Sequence, residues 1–195
     1  MAKGKITRVL LDKDFFFIDT DYWCHIQDYD RKPEVGHIVE YQPMTRDDGE
    51  KNARNVRFLS KAVTPVDEFL KDLKNGYFNE KGYLKSEYQV DYPQKLANFF
   101  AGQGDQNKIA QIRKFFDQIR LIEGKFKLKK DFDSVVPELN SLLSLLEYAK
   151  NRKHITQEFQ DYLSANIQEG VKTSKDFEKG FIPHFQALVA YYIKT

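Results

Sequence analysis

The residues best suited to hold a metal or activate a nucleophile are four histidines, His25, His37, His154 and His184, and the single cysteine, Cys24. They are scattered, and none has a cysteine or carboxylate at metal-ligand spacing. Cys24 stands between Trp23 and His25 at a position that a strand would turn inward, with no base placed to activate it. His184, beside Pro183, reads as packing. There is no glycine-rich phosphate loop, no serine in a nucleophile-elbow context, and Asp47–Asp48 has the character of a turn. The sequence argues against catalysis and predicts no cofactor and no metal. What remains is the chemistry of contact, through flat aromatic faces and through cations.

The aromatic chemistry is concentrated in KDFFFIDTDYWCHI, Lys13 to Ile26. Side chains two apart in a strand share a face. Phe16 and Ile18, with Tyr22, Cys24 and Ile26 on the same parity, can fill the inside of a small barrel. Phe15 and Phe17 then stand outside together with Trp23 and His25 of the next strand. Aromatics gathered on one outer sheet face form a stacking platform for unpaired bases. The same residues could also be plain barrel core, provided a helix from elsewhere docks over the outer face.

The elements that must position these residues fall into two halves. The first sixty residues read as five short strands. KITRVLLDKDFFFID and YWCHIQ are rich in β-branched and aromatic residues, GHIVEYQPM alternates, RDDGEKN is a turn with Gly49 available for positive φ, and ARNVRFL is the last strand. With no helical stretch among them, they predict a small closed β-barrel. Then the period changes. Thr64 is an N-cap candidate with Pro65 at the first helical position. NGYFNEKGYLKSEYQV has two glycines and no period, and reads as loop with extended pieces. DYPQKLANFFAGQG ends at Gly102 as a C′ glycine. In DQNKIAQIRKFFDQIRLIEG, Ile109, Ile112, Phe116, Ile119 and Glu123 form one stripe and Gly124 stops the helix. PELNSLLSLLEYAKNRK closes in a basic turn. A helix runs from Thr156 to Gly170, and another from Ser174 carries Pro183, which should kink or split it. The fold class expected is a two-domain β + α chain, a five-stranded barrel over 1–60, a linker over 61–65, and an all-α bundle of five or six helices over 66–195.

Composition is that of an ordinary globular protein, with 41% hydrophobic and 31% charged residues in 195. One cysteine permits no internal disulfide and suits a reducing cytoplasm. MAKGKITRVLL lacks a long apolar run, and no stretch approaches membrane-spanning length, so a cytoplasmic protein with no membrane partner is expected. The net charge of +2 does not by itself imply a polyanion. Local charge does more. The first sixty residues hold 10 Lys and Arg against 11 Asp and Glu. Between Lys108 and Lys130, eight cations (Lys108, Arg113, Lys114, Arg120, Lys125, Lys127, Lys129, Lys130) face two carboxylates, Asp117 and Glu123. Arg113 and Arg120 share a helix face, and Lys150, Arg152 and Lys153 add a second basic turn. Such a face can be merely solvated, or it can bind phosphates.

The barrel half resembles a cold-shock domain. KDFFFI stands where that family has an RNP1-like strand of the type KGFGFI, and YWCHI where it has an RNP2-like strand of the type VFVHF. Val35–Gly36, Asp48–Gly49 and ARNVRFL, with Ala53, Asn55, Val56 and Leu59 in step, match its tail. Asp14 and Phe16 replace the two small glycines, and Arg8 replaces the tryptophan common on the first strand. The resemblance implies an OB-fold that binds single-stranded RNA, with Phe15, Phe17, Trp23 and His25 as stackers and Lys13 as a phosphate contact. Arg8 could stack or pair with phosphate.

From about Val66 onward the chain resembles the small subunit of type III-A CRISPR effector (Csm) complexes. The likeness is carried by GYFNEKGYLKSE, by KLANFFAGQG followed by NKIAQIRKFFDQIRLIE, by LEYAKNRK and by DFEKGFIPHFQALVAYY. It implies a helical antiviral-defence protein without a catalytic centre. Copies of it would stack as a filament among the other effector subunits and hold guide RNA paired to target RNA by backbone phosphates. Carried onto this chain, the contacts are Lys108, Gln111, Arg113, Lys114, Arg120 and Arg152. The attached barrel departs from that family. Two other readings stay open here. One is a free-standing cold-shock-type RNA chaperone or regulator whose helices oligomerise it. The other is an interaction module whose barrel aromatics dock on a protein.

Overall fold

A computed structural model describes residues 1–192. The chain divides into two compact units, the first Met1–Val63 and the second beginning at Thr64. The first is all β and the second all α, the two-domain β + α class expected.

The first unit is a closed barrel of β1 (Ala2–Leu10), β2 (Phe15–Ile18), β3 (Tyr22–His25), β4 (His37–Thr45) and β5 (Lys51–Lys61). The order is β1-β2-β3-β5-β4, and β1 closes the ring by pairing with β4 as well as β2. β3 and β5 run parallel, joined through Trp23 and Asn52; the other pairs are antiparallel. This is the strand order of an OB-type barrel. Period-two alternation decides what fills it. Ile6, Phe16, Ile18, Cys24, Tyr29, Val39, Tyr41, Ala53 and Val56 are buried together. Phe16 is wholly enclosed, so the bulky residue in the middle of the phenylalanine run is core. Burial also pushes the Cys24 thiol up to about 12, which keeps it a neutral, inert core group.

The helical unit comprises α1 (Pro65–Leu73), α2 (Ser86–Gln89), α3 (Asp91–Ala101), α4 (Ile109–Lys129), α5 (Val136–Asn151), α6 (Gln157–Ala165) and α7 (Ile182–Tyr192). Among the described residues, six of these exceed a single turn. α1 starts as its sequence dictates. The Asp67 amide donates to Thr64 Oγ1 at 3.1 Å, the Thr64 amide donates to the Asp67 carboxylate at 2.8 Å, and Pro65 follows the cap. One core runs through the unit, from Val66, Phe69 and Leu73 through Phe100, Ile119 and Leu146 to Phe181, Phe185 and Leu188. No helix among the described residues is long and apolar enough to cross a membrane.

Several local expectations change. Gly124 does not stop α4, which continues to Lys129 and ends at Lys130 in the left-handed conformation. Gly124 lies on the exposed side, so its helix cost of about 1 kcal/mol is overridden by burial of Ile122 and Phe126 around it. The buried stripe is Ile112, Phe115, Ile119, Ile122, Glu123 and Phe126, with Ile109 and Phe116 only partly buried at its edge. Gly102 remains right-handed at the end of α3, and the left-handed turn comes at Gly104. The loop before α3 holds an extended bridge, Phe78 to Leu84, and also the one-turn α2. The helix from Thr156 widens into a π turn, Asn166–Gly170, and a second π turn, Asp176–Phe181, leads into α7 directly before Pro183. Pro183 has no N–H for the carbonyl four residues back, and the widened turn accommodates that loss.

His184 lies wholly buried on α7, stacked on Phe69 with centroids 5.1 Å apart and planes at 8°. Its Nδ1–H donates to the Tyr88 carbonyl at 2.8 Å, while Nε2 has no partner. A proton on Nε2 would be buried without an acceptor. Burial accordingly lowers the imidazole pKa from 6.5 to about 4, partly offset by the bond to Tyr88. Between those values the unfolded chain binds the extra proton, so stability falls as pH drops from 6.5 towards 4 and is unaffected by this group above 6.5. The loss is expected to be on the order of 3 kcal/mol. Urea midpoints across this window should show the slope, and His184→Phe should flatten it.

Candidate nucleic-acid interface

The aromatic side chains outside the barrel are brought together by strand register. Phe15 lies opposite His25 and Phe17 opposite Trp23 across β2 and β3. On the other side, Phe17 faces Arg8 and Phe15 faces Leu10 across β1 and β2. Three neighbouring strands therefore present the rows Arg8–Phe17–Trp23 and Leu10–Phe15–His25 on one outer face. The rings touch edge to face. Centroids are 5.6 Å apart for Phe15 and Phe17, 6.5 Å for Phe15 and Trp23, and 5.2 Å for Trp23 and His25. Phe15, Phe17 and Trp23 are half-buried and His25 and Arg8 exposed. Edge-to-face packing of this kind, in which the edge of one ring meets the face of the next, holds the rings in fixed relative orientations. Asp14, left-handed at φ 59, ends the short turn carrying Lys13, and its carbonyl accepts the Ile26 amide at 3.1 Å.

Lys13, Phe15, Phe17, Trp23, His25 and Glu50 line one open cleft of about 490 Å³. Glu50 belongs to the β4–β5 turn, and so does Arg46, whose guanidinium lies 5.1 Å from the centre of the Trp23 ring. Neither residue is legible from sequence as part of this site. The RDDGEK turn announces a hairpin, but its place beside Trp23 follows from β5 pairing with β3, strands that are distant in sequence.

In the helical unit the cations divide by their partners. Lys108 pairs with Asp105 at 3.2 Å. Arg120 pairs with Glu123, and Lys127 reaches the same carboxylate at 2.6 Å. Glu123 is only 4% exposed, so two cations clasp a carboxylate that the apolar stripe carries into the core. Lys125 pairs with Glu138 of α5 at 2.6 Å. Arg113 and Lys114, both exposed, stand outside these ion pairs among the described residues. Gln111 lies half-buried in the first turn of α4.

Asn107 draws the remaining basic turn to this end of α4. Its amide donates to the His154 carbonyl at 3.0 Å, its Oδ1 accepts the Thr156 amide at 3.0 Å, and its Nδ2 donates to Thr156 Oγ1 and Gln103 Oε1. The turn that follows α5, with Arg152 beside the Tyr148 ring, is thereby stitched to the residue preceding Lys108. The turn that follows α5 thus lies next to the N-terminus of α4, whose positive dipole end favours an anion. The described residues contain no group of three or more His, Cys, Asp or Glu side chains able to hold a metal.

The arrangement offers flat faces with a few charges on the barrel and a helix start with nearby cations in the second unit. Comparison with known families bears on the second. The family described as Csm2 Type III-A matches residues 85–194, more than half of the chain, from α2 through α7. No curated protein and no solved structure matches the chain.

Proposed function

The chain belongs to the Csm2 type III-A family, and on that premise we propose that it is a non-catalytic RNA-binding subunit of the CRISPR effector. In this reading the helical unit holds guide and target RNA by their phosphates. Arg113 and Lys114 supply the most available charge, and Lys108, Gln111, Arg120 and Arg152 flank them. The observation that carries the reading is that these cations fall inside the family match, on one helix and the turn stitched to its start. Leu121 and Leu128 on α4 and Leu145 and Tyr148 on α5 are exposed. They supply apolar surface for neighbouring subunits or for further copies in a filament. The barrel, cold-shock-like in its aromatics, stacks unpaired RNA bases on Phe15, Phe17, Trp23 and His25, with Lys13 and Arg8 near the backbone.

The test uses Arg113→Glu with Lys114→Glu, which breaks no ion pair of the described structure. RNA affinity of the full chain is measured against salt. For every phosphate that the variant no longer engages, the log–log slope should flatten by about 0.7 for a single strand and about 0.9 for a duplex. A slope equal to that of the parent would end the assignment of these residues to phosphate.

The barrel lies outside the family match, and that observation favours a second reading, a free-standing RNA chaperone with a helical oligomerisation module. Purification from the native host separates the two. Short RNAs of uniform length in a stoichiometric multi-subunit complex support the effector subunit, and diverse cellular RNAs without fixed partners support the chaperone.

A further inference from the structure

A carboxylate is out of place in a surface built only to attract a polyanion, yet Glu50 lines the aromatic cleft with Trp23 and His25. Its place is set by the turn. The Arg46 amide donates to the Glu50 carbonyl at 2.9 Å, the Gly49 amide to the Arg46 carbonyl at 2.9 Å, and the Glu50 amide to Asp48 Oδ1 at 3.0 Å. Arg46 stands 3.6 Å from the Glu50 carboxylate while its guanidinium lies over the Trp23 ring, 5.1 Å from its centre. The turn therefore places a carboxylate, with its two acceptor oxygens, at the rim of a stacking floor.

A phosphate in this position would be repelled by Glu50, whereas a base edge with hydrogen-bond donors would be attracted. The four RNA bases differ sharply in what they offer. Guanine presents two adjacent donors, N1–H and the N2 amino group, spaced to meet both oxygens of a carboxylate. Adenine and cytosine each pair one amino group with a neighbouring acceptor. Uracil has one N–H between two acceptors. Facing a carboxylate, those acceptors repel.

We infer that the cleft is a guanine-reading subsite for single-stranded RNA, with the base stacked against Trp23 and its Watson–Crick edge held by Glu50. The inference rests on the proposed RNA binding by the barrel, and it gives that binding a preference which stacking alone does not supply.

The experiment measures affinity of the full chain, by fluorescence anisotropy, for oligouridine hexamers carrying one central guanine, inosine, adenine or cytosine, beside the all-uridine strand. Guanine is expected to bind about tenfold more tightly than adenine, cytosine or uracil. Inosine, which lacks the N2 amino group, should fall between. Glu50→Gln offers one acceptor and one donor, and should bring the affinity for guanine down to that of the other strands. Equal affinity for all strands, lost on Trp23→Ala, would overturn the guanine subsite and leave the RNA-binding reading standing. Guanine preference that survives Glu50→Gln would overturn the role of Glu50. No binding to any strand would overturn both.

Discussion

Asn107→Ala is expected to destabilise the helical unit by about 3–4 kcal/mol, read as a lowered denaturation midpoint. Asn107 is fully buried and makes three side-chain hydrogen bonds, Oδ1 accepting from the Thr156 amide and Nδ2 donating to Thr156 Oγ1 and Gln103 Oε1. Its carbonyl also accepts the Tyr192 hydroxyl. Alanine removes the side-chain partners and leaves the Thr156 amide buried and unpaired at the start of α6. It also places an unfavourable residue at φ 55, a left-handed conformation that asparagine tolerates. Asn107→Gly separates the two costs, because it relieves the backbone and still lacks the hydrogen bonds. Glycine should recover about 1 kcal/mol relative to alanine and no more. If both variants match the parent, the network is not a structural hub. On the RNA-binding role proposed above, the effect should reach RNA affinity as well, because the same residue joins the turn after α5 to the start of α4.

The second large effect centres on Tyr77. This ring is wholly buried between the two π turns, and its hydroxyl donates to Asn166 Oδ1 at 2.7 Å. A Cβ on Gly180 would stand 2.6 Å from Tyr77 Cδ2, and one on Gly170 would stand 2.5 Å from the Tyr77 oxygen. Neither neighbour is the free end of a flexible chain, so the ring or a helix must move. Gly180→Ala is expected to cost about 3 kcal/mol, at the upper end of ordinary overpacking. Combining it with Tyr77→Leu tests the cause. Removing the ring should itself destabilise, but the two changes should be far from additive, since the clash disappears with the ring. Additive costs measured by urea unfolding would place the strain of Gly180→Ala elsewhere.

The barrel is legible in the sequence because its strands are half-buried and alternate. The parity of Phe15, Phe16 and Phe17 settles which ring enters the core, and the spacing of Trp23 and Cys24 does the same on the next strand. The start of α1 is legible because Thr64, Pro65 and Asp67 act locally. What cannot be read depends on neighbours distant in sequence. Gly124 is a stop signal by propensity, and the burial of Ile122 and Phe126 outweighs it. Arg46 and Glu50 join the aromatic cleft only once β5 lies beside β3. The basic segment of α4 reads as eight cations, but Glu123, Glu138 and Asp105 engage four of them. The Arg120–Glu123 and Glu123–Lys127 spacings are visible as helical neighbours; the burial of Glu123, which makes their pairing obligatory, is not.

Closure of the barrel joins Ala2 to Tyr41 and Trp23 to Asn52. Such pairings must wait for long stretches of chain to fold back, so they form slowly compared with the local interactions of helices. On a ribosome the β2–β3 hairpin emerges with aromatics on both faces, Phe16 and Tyr22 on one and Phe15, Phe17 and Trp23 on the other. Only when β5 has been synthesised can the first set be sheltered. The alternation that gives the finished barrel its outer aromatic face thus leaves apolar rings on both sides of the β2–β3 hairpin uncovered until residues 51–61 have been made.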